Sequence, residues 1–129
     1  MIRQAILLSA VLGALFAHHS GALYDLTKTE TVKGTVKAFL WTNPHVVLLL
    51  TAEPKGDRPA GEWRLEMTNP ARLTRAGWTK RSLKPGDVLT VDYNPMRDQA
   101  GVGWARKIAF PDGKVLDFEA VGVEKPNLP

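Results

Sequence analysis

From Thr31 to Trp41 apolar and polar residues alternate, with Val32, Gly34, Val36, Ala38 and Leu40 on one side and Lys33, Thr35 and Lys37 on the other. A period of two predicts a strand with one buried face. Gly34 inside it predicts a bend or bulge, which small barrels use to curl a strand. TNPH ends the run, because proline fixes its own φ and keeps Asn43 out of the helical region. HVVLLLTA follows as a second strand, apolar on both faces and therefore central. EPKGDRPAGE is a polar hairpin loop, and WRLEMT a third strand with Trp63, Leu65 and Met67 inward and Arg64 and Glu66 outward.

A single short helix comes next. Asn69 is placed to cap its free amides, Pro70 suits the first turn, and Gly77 can close the end in the left-handed conformation. Leu73 and Ala76 are its inward residues. SLKPGD is a turn, VLTVDY a fourth strand with Leu89, Val91 and Tyr93 on one face, and VGWARKIAF a fifth. Trp63 and Trp104 match the inward parity of their strands. PDG then turns into a short sixth strand, KVLDF. Three strands, a helix and two more strands is the order of a five-stranded Greek-key barrel. The expected fold is therefore all-β with one short helix, an OB-fold-like barrel of five to six strands.

The first residues do not belong to that barrel. A basic start at Arg3 and an apolar run from Ala5 to Phe16 predict a secretory signal. The run falls short of the roughly 20 residues that a spanning helix needs. Cleavage after Ala17 leaves His18 as the first residue, whereas cleavage after Ala22 discards His18 and His19 together. The expected organisation is a signal over 1–17, a barrel domain over 18–120 and a C-terminal tail over 121–129, in a periplasmic or secreted protein with no membrane span.

Composition narrows the chemistry. The 129 residues include no cysteine, so any metal must be held by histidine, carboxylate, methionine or backbone nitrogen. Without Arg3 the chain has 16 basic and 13 acidic residues, and Lys and Arg read as scattered along it. That predicts neither a nucleic-acid surface nor a polybasic membrane patch. No nucleophile triad and no paired catalytic carboxylates are recognisable, and no enzymatic activity is expected.

The three histidines occupy two loci, His18-His19 and His45. If the chain begins at His18, its α-amine and ring form a chelate, and His45 can complete a plane of three nitrogens. Such a histidine brace suits Cu(II), for which nitrogen ligands in a tetragonal arrangement are favourable. His19 is an alternative or additional ligand. Trp41, on the polar face of the first strand, could wall the site with Asn43, and Asp25 could support it as an axial or outer partner. The competing reading is a disordered terminal pair and a His45 that merely hydrogen-bonds at a turn, with Asp25 a solvated turn residue.

AHHS followed by YD, then GTV, WTNPHV, PARLTRAGW, SLKPGD and PDG resembles a family of short secreted bacterial proteins built on a domain of unknown function. The likeness runs from about Ala17 to Phe118. It implies that His18-His19 and the element with Trp41, Asn43 and His45 belong to the mature protein, which favours cleavage after Ala17 and a copper site. Relatives usually carry an apolar aromatic after AHHS, where this chain has Gly21. The expected function is copper handling or sensing by an exported metal-binding protein, with another envelope protein as a possible partner. The alternative is a metal-free OB module that grips a sugar, peptide or envelope protein. A brace-type copper oxidase ranks last, because no broad aromatic substrate face is evident.

Overall fold

The computed structural model describes residues 23–57 and 59–117. The expected signal, His18, His19 and the tail from 121 lie outside these residues. In chain order the elements are β1 (Glu30–Leu40), β2 (Val47–Ala52), β3 (Gly61–Glu66), α1 (Pro70–Arg75), β4 (Val88–Pro95), β5 (Val102–Ala109) and β6 (Val115–Asp117). The sheet order is β3-β2-β1-β4-β5-β6, and a parallel pairing of β3 with β5 closes the first five strands into a barrel. This is the expected OB-fold, with β6 added along β5. Closure leaves the five barrel strands no long open edge.

β1 is shared by both halves of the barrel, pairing with β2 and β4 at once. Gly34 lies opposite Ala52 and Leu89, and a Cβ there would come within 2.6 Å of the Thr51 carbonyl oxygen. The glycine thus permits a close backbone crossing, and the bulge falls three residues later. Val36 pairs with Leu50 and Ala38 with Leu49, which leaves Lys37 as the extra residue. A one-residue insertion exchanges the faces of everything beyond it. Phe39 therefore packs on the core, and Leu40, expected inside, is 41% exposed.

α1 closes one end of the barrel. The Asn69 side chain accepts from Arg72 N–H at 2.9 Å, Pro70 opens the helix, and Gly77 has φ of 88°. The Trp78 amide donates back to the Leu73 carbonyl at 2.9 Å, so the chain turns directly off the helix end. Leu73, Trp78 and Leu83 are all buried in the core beside Leu48, Leu50, Leu65, Val91 and Ile108. Each fully buried aliphatic side chain of this kind stabilises the fold by about 1.5–3 kcal/mol.

Trp63 joins this core as expected, but Trp104 does not. Asp92 pairs with Lys107 and Tyr93 with Ala105, so Arg106 is an extra residue in β5. The bulge puts both Ala105 and Ile108 inside. Trp104 is thereby turned to the outer side of the barrel wall, where it is nevertheless buried. Tyr24 and His45 pack against it there.

Candidate functional site

The turn before β2 is tied down by hydrogen bonds around a cis Asn43-Pro44 peptide. Thr42 Oγ1 donates to the His45 carbonyl at 3.0 Å. Val46 N–H donates to the Thr68 carbonyl at 3.1 Å, and Met67 N–H to the Val46 carbonyl at 2.8 Å. These bonds clip the TNPH turn onto the end of β3 and bring His45 beside Glu66, the last residue of that strand.

His45 Nδ1 lies 3.3 Å from Glu66 Oε2, with the imidazole 26% exposed and the carboxylate 16%. Arg64 sits two residues earlier on the same outward face of β3 and donates to Glu66 Oε1 at 2.5 Å. Parallel closure sets Trp104 opposite Glu66. The Trp104 and His45 rings meet edge to face, with centroids 5.4 Å apart and planes at 88°. Tyr24 also packs against Trp104, with ring centroids 5.8 Å apart.

Tyr24 is fully buried and is bridged to Met96. The backbone on either side of it is fastened to the β4–β5 hairpin, Asp25 N–H donating to Pro95 O at 2.8 Å and Arg97 N–H to Leu23 O at 2.9 Å. The segment that follows the two outlying histidines is thus anchored one ring away from His45.

His45, Arg64 and Tyr24 gather around one carboxylate. The hydrogen bond from His45 is the main cause that draws the Glu66 pKa down to about 2. Partial burial opposes this, and Tyr24 and Arg64 reinforce it. Burial, then the negative charge of Glu66, raises the Tyr24 phenol far above its usual range, with Arg64 opposing. The hydroxyl feels the Glu66 carboxylate without a short, well-aligned hydrogen bond to it. At neutral pH the cluster therefore holds a charged Glu66 and a protonated Tyr24.

The other expected site residues have partners of their own or are exposed. Trp41 packs edge-on against Phe39 at 5.8 Å and on the core, so Trp104 is the tryptophan that walls His45. Asn43 is exposed in the turn. The Asp25 carboxylate accepts from Thr27 N–H and Thr27 Oγ1 at 3.1 and 2.6 Å, and lies 3.7 Å from Lys28 Nζ. Its pKa is lowered chiefly by the Thr27 hydroxyl, as befits a residue bracing a turn. Among the described residues no group of three or more His, Asp or Glu converges as a metal cage.

Glu66, Arg64, Tyr24 and Trp104 escaped the sequence reading as site residues. From the alternation of the third strand Glu66 reads only as an outward-facing residue. The sequence carries no signal that joins it to His45, because the two meet only when the TNPH turn is clipped onto the end of β3. An open groove of about 460 Å³ is lined by Trp63, Tyr93, Met96, Arg97 and Val102.

The chain belongs to the family of unknown function DUF6152, which it matches over residues 6–105. This bears out the expected membership of a family of unknown function. No curated protein matches it. Among solved structures, the mitochondrial single-stranded DNA-binding protein Rim1 of S. cerevisiae aligns with 70% of this chain and 94% of its own, at 10% identity and a TM-score of 0.46.

Proposed function

We propose that this protein is exported to the periplasm and binds Cu(II) there, in copper handling or sensing rather than turnover. The ligands are the α-amine and ring of His18 at the mature terminus and the ring of His45, with His19 alternative or additional. The observation that carries this reading is the His45–Glu66 pair. A ligating imidazole needs one ring nitrogen bare and aimed outward, and a carboxylate on the other nitrogen fixes that tautomer and raises its basicity. With Nδ1 on Glu66, Nε2 is the nitrogen left to bind.

The anchoring of Tyr24 is a second support. Tyr24 stands six positions after His18, a reach of at most about 20 Å when extended. That span suffices to carry a terminal amine back to His45. Copper would supply a Lewis-acidic, redox-active centre, while the chain's own groups set its geometry and proton balance. Binding releases protons from the amine and rings, so affinity rises with pH through about 7 to 8.

Intact mass of the exported protein is the first test, with His18 the expected first residue. A start at Leu23 removes the brace. Cu(II) titration followed by EPR is the second. Nitrogen hyperfine structure is expected to lose one contributor in His45→Ala, and its survival unchanged would exclude His45. A metal-free binding module has its own support in the groove beside Trp63 and Met96. It is preferred if Cu(II) binds no tighter than micromolar.

A further inference from the structure

Counted along the whole chain the basic residues look scattered, but their partners are not. Between Pro70 and Gly86 stand Arg72, Arg75, Lys80, Arg81 and Lys84 with no acidic residue among them. Elsewhere in residues 23–117, ten basic residues face eleven acidic ones. Many of those are paired. Lys28 and Arg97 lie against Asp25, Lys33 against Glu53, Lys37 against Glu62, Arg64 against Glu66 and Lys107 against Asp92. In the 70–86 stretch Lys84 reaches Asp87 at 3.5 Å, whereas Arg75, Lys80 and Arg81 have no acidic partner among the described residues. The positive charge of the described domain is concentrated there.

The fold gathers this stretch into one cap. Leu73, Trp78 and Leu83 are buried and plug the barrel end, while Arg75, Lys80, Arg81 and Lys84 are exposed. The turn after α1 is held by Ser82 N–H to Thr79 O at 3.0 Å, Thr79 N–H to Ser82 Oγ at 2.9 Å and Arg81 N–H to Thr79 Oγ1 at 3.1 Å. Three apolar anchors inward and four cations outward make a rigidly presented basic face. Arg72 and Arg75 also suit the carbonyl end of a helix. Lys80 and Arg81, beyond that end, have no such structural use.

We propose that this cap docks the protein by charge on a bilayer surface bearing anionic phospholipid headgroups. A headgroup plane is a laterally averaged anionic surface, so it needs charge but no shaped pocket. Single-stranded nucleic acid fits less well, because such sites stack bases on exposed rings and the tryptophan of this cap is buried. Each basic residue held near an anionic bilayer strengthens partitioning roughly fivefold, an effect that falls away within a Debye length.

The test is co-sedimentation of the purified chain, without metal, on vesicles of phosphatidylcholine alone or with a third phosphatidylglycerol. Binding is expected only to the anionic vesicles and is expected to disappear at high salt. The double variant Lys80→Gln, Arg81→Gln should bind about 25-fold more weakly. Lys33→Gln, Lys55→Gln removes the same charge outside the cap and should change binding much less. Circular dichroism and thermal melts confirm that both variants remain folded. Equal loss in the two variants would overturn the proposal, as would absence of vesicle binding. Capture of an oligothymidylate through Lys80 and Arg81 in place of vesicles would equally overturn it.

Discussion

Replacing Glu66 with glutamine keeps the shape of the side chain and removes its charge, which isolates what the carboxylate does for His45, Tyr24 and Arg64. The Glu66 pKa stands at about 2 against an ordinary 4.5. At about 1.4 kcal/mol per unit the charged form gains about 3 kcal/mol. Arg64 beside it is 49% exposed, and solvent screening reduces that to about 2 kcal/mol. Because the folded pKa is depressed, this stability is fully present above pH 4.5 and is lost as pH falls toward 2. For a domain of this size 1 kcal/mol corresponds to about 4–8 °C. Glu66→Gln should therefore melt about 10 °C lower than the wild type at pH 7, in chelator-treated protein, and the two curves should converge by pH 2. A gap that stays constant from pH 7 to pH 2 would place the effect in packing and refute the electrostatic account. No gap at pH 7 would show that water serves His45 and Arg64 equally well.

Tyr24→Phe retains the ring on Trp104 but removes the hydroxyl facing Glu66. Stability should change by less than about 1 kcal/mol, and the Glu66 pKa, followed by carbon-13 NMR, should rise. Gly34→Ala drives a methyl to 2.6 Å from the Thr51 carbonyl oxygen, where backbone on both sides leaves little room to yield. A loss of about 3 kcal/mol or more is expected in denaturant unfolding, and a loss below 1 kcal/mol would show that the β1–β2 crossing can open. Asn69→Ala removes the cap bond to Arg72 N–H and should cost about 1 kcal/mol, read as a lower melting temperature with an unchanged near-ultraviolet spectrum.

The order and kind of the elements were legible in the sequence because their signals are local. Alternation marks β1 and β3, and Asn69, Pro70 and Gly77 punctuate α1 within a few residues of one another. The histidine turn was legible for the same reason, since TNPH carries its own backbone chemistry. Parity beyond the bulges was not. Whether Leu40 and Trp104 face in or out depends on the extra residues Lys37 and Arg106, and a bulge is set by the register of a partner strand rather than by its own residues. The surroundings of His45 were also decided by tertiary structure alone. Glu66 and Trp104 meet through the parallel closure of β3 on β5, and Tyr24 arrives by its bridge to Met96. Those contacts join residues tens of positions apart. Local sequence specifies which side chains are polar or apolar, but only the tertiary fold sets a carboxylate and an indole against the His45 imidazole and a phenol against that indole.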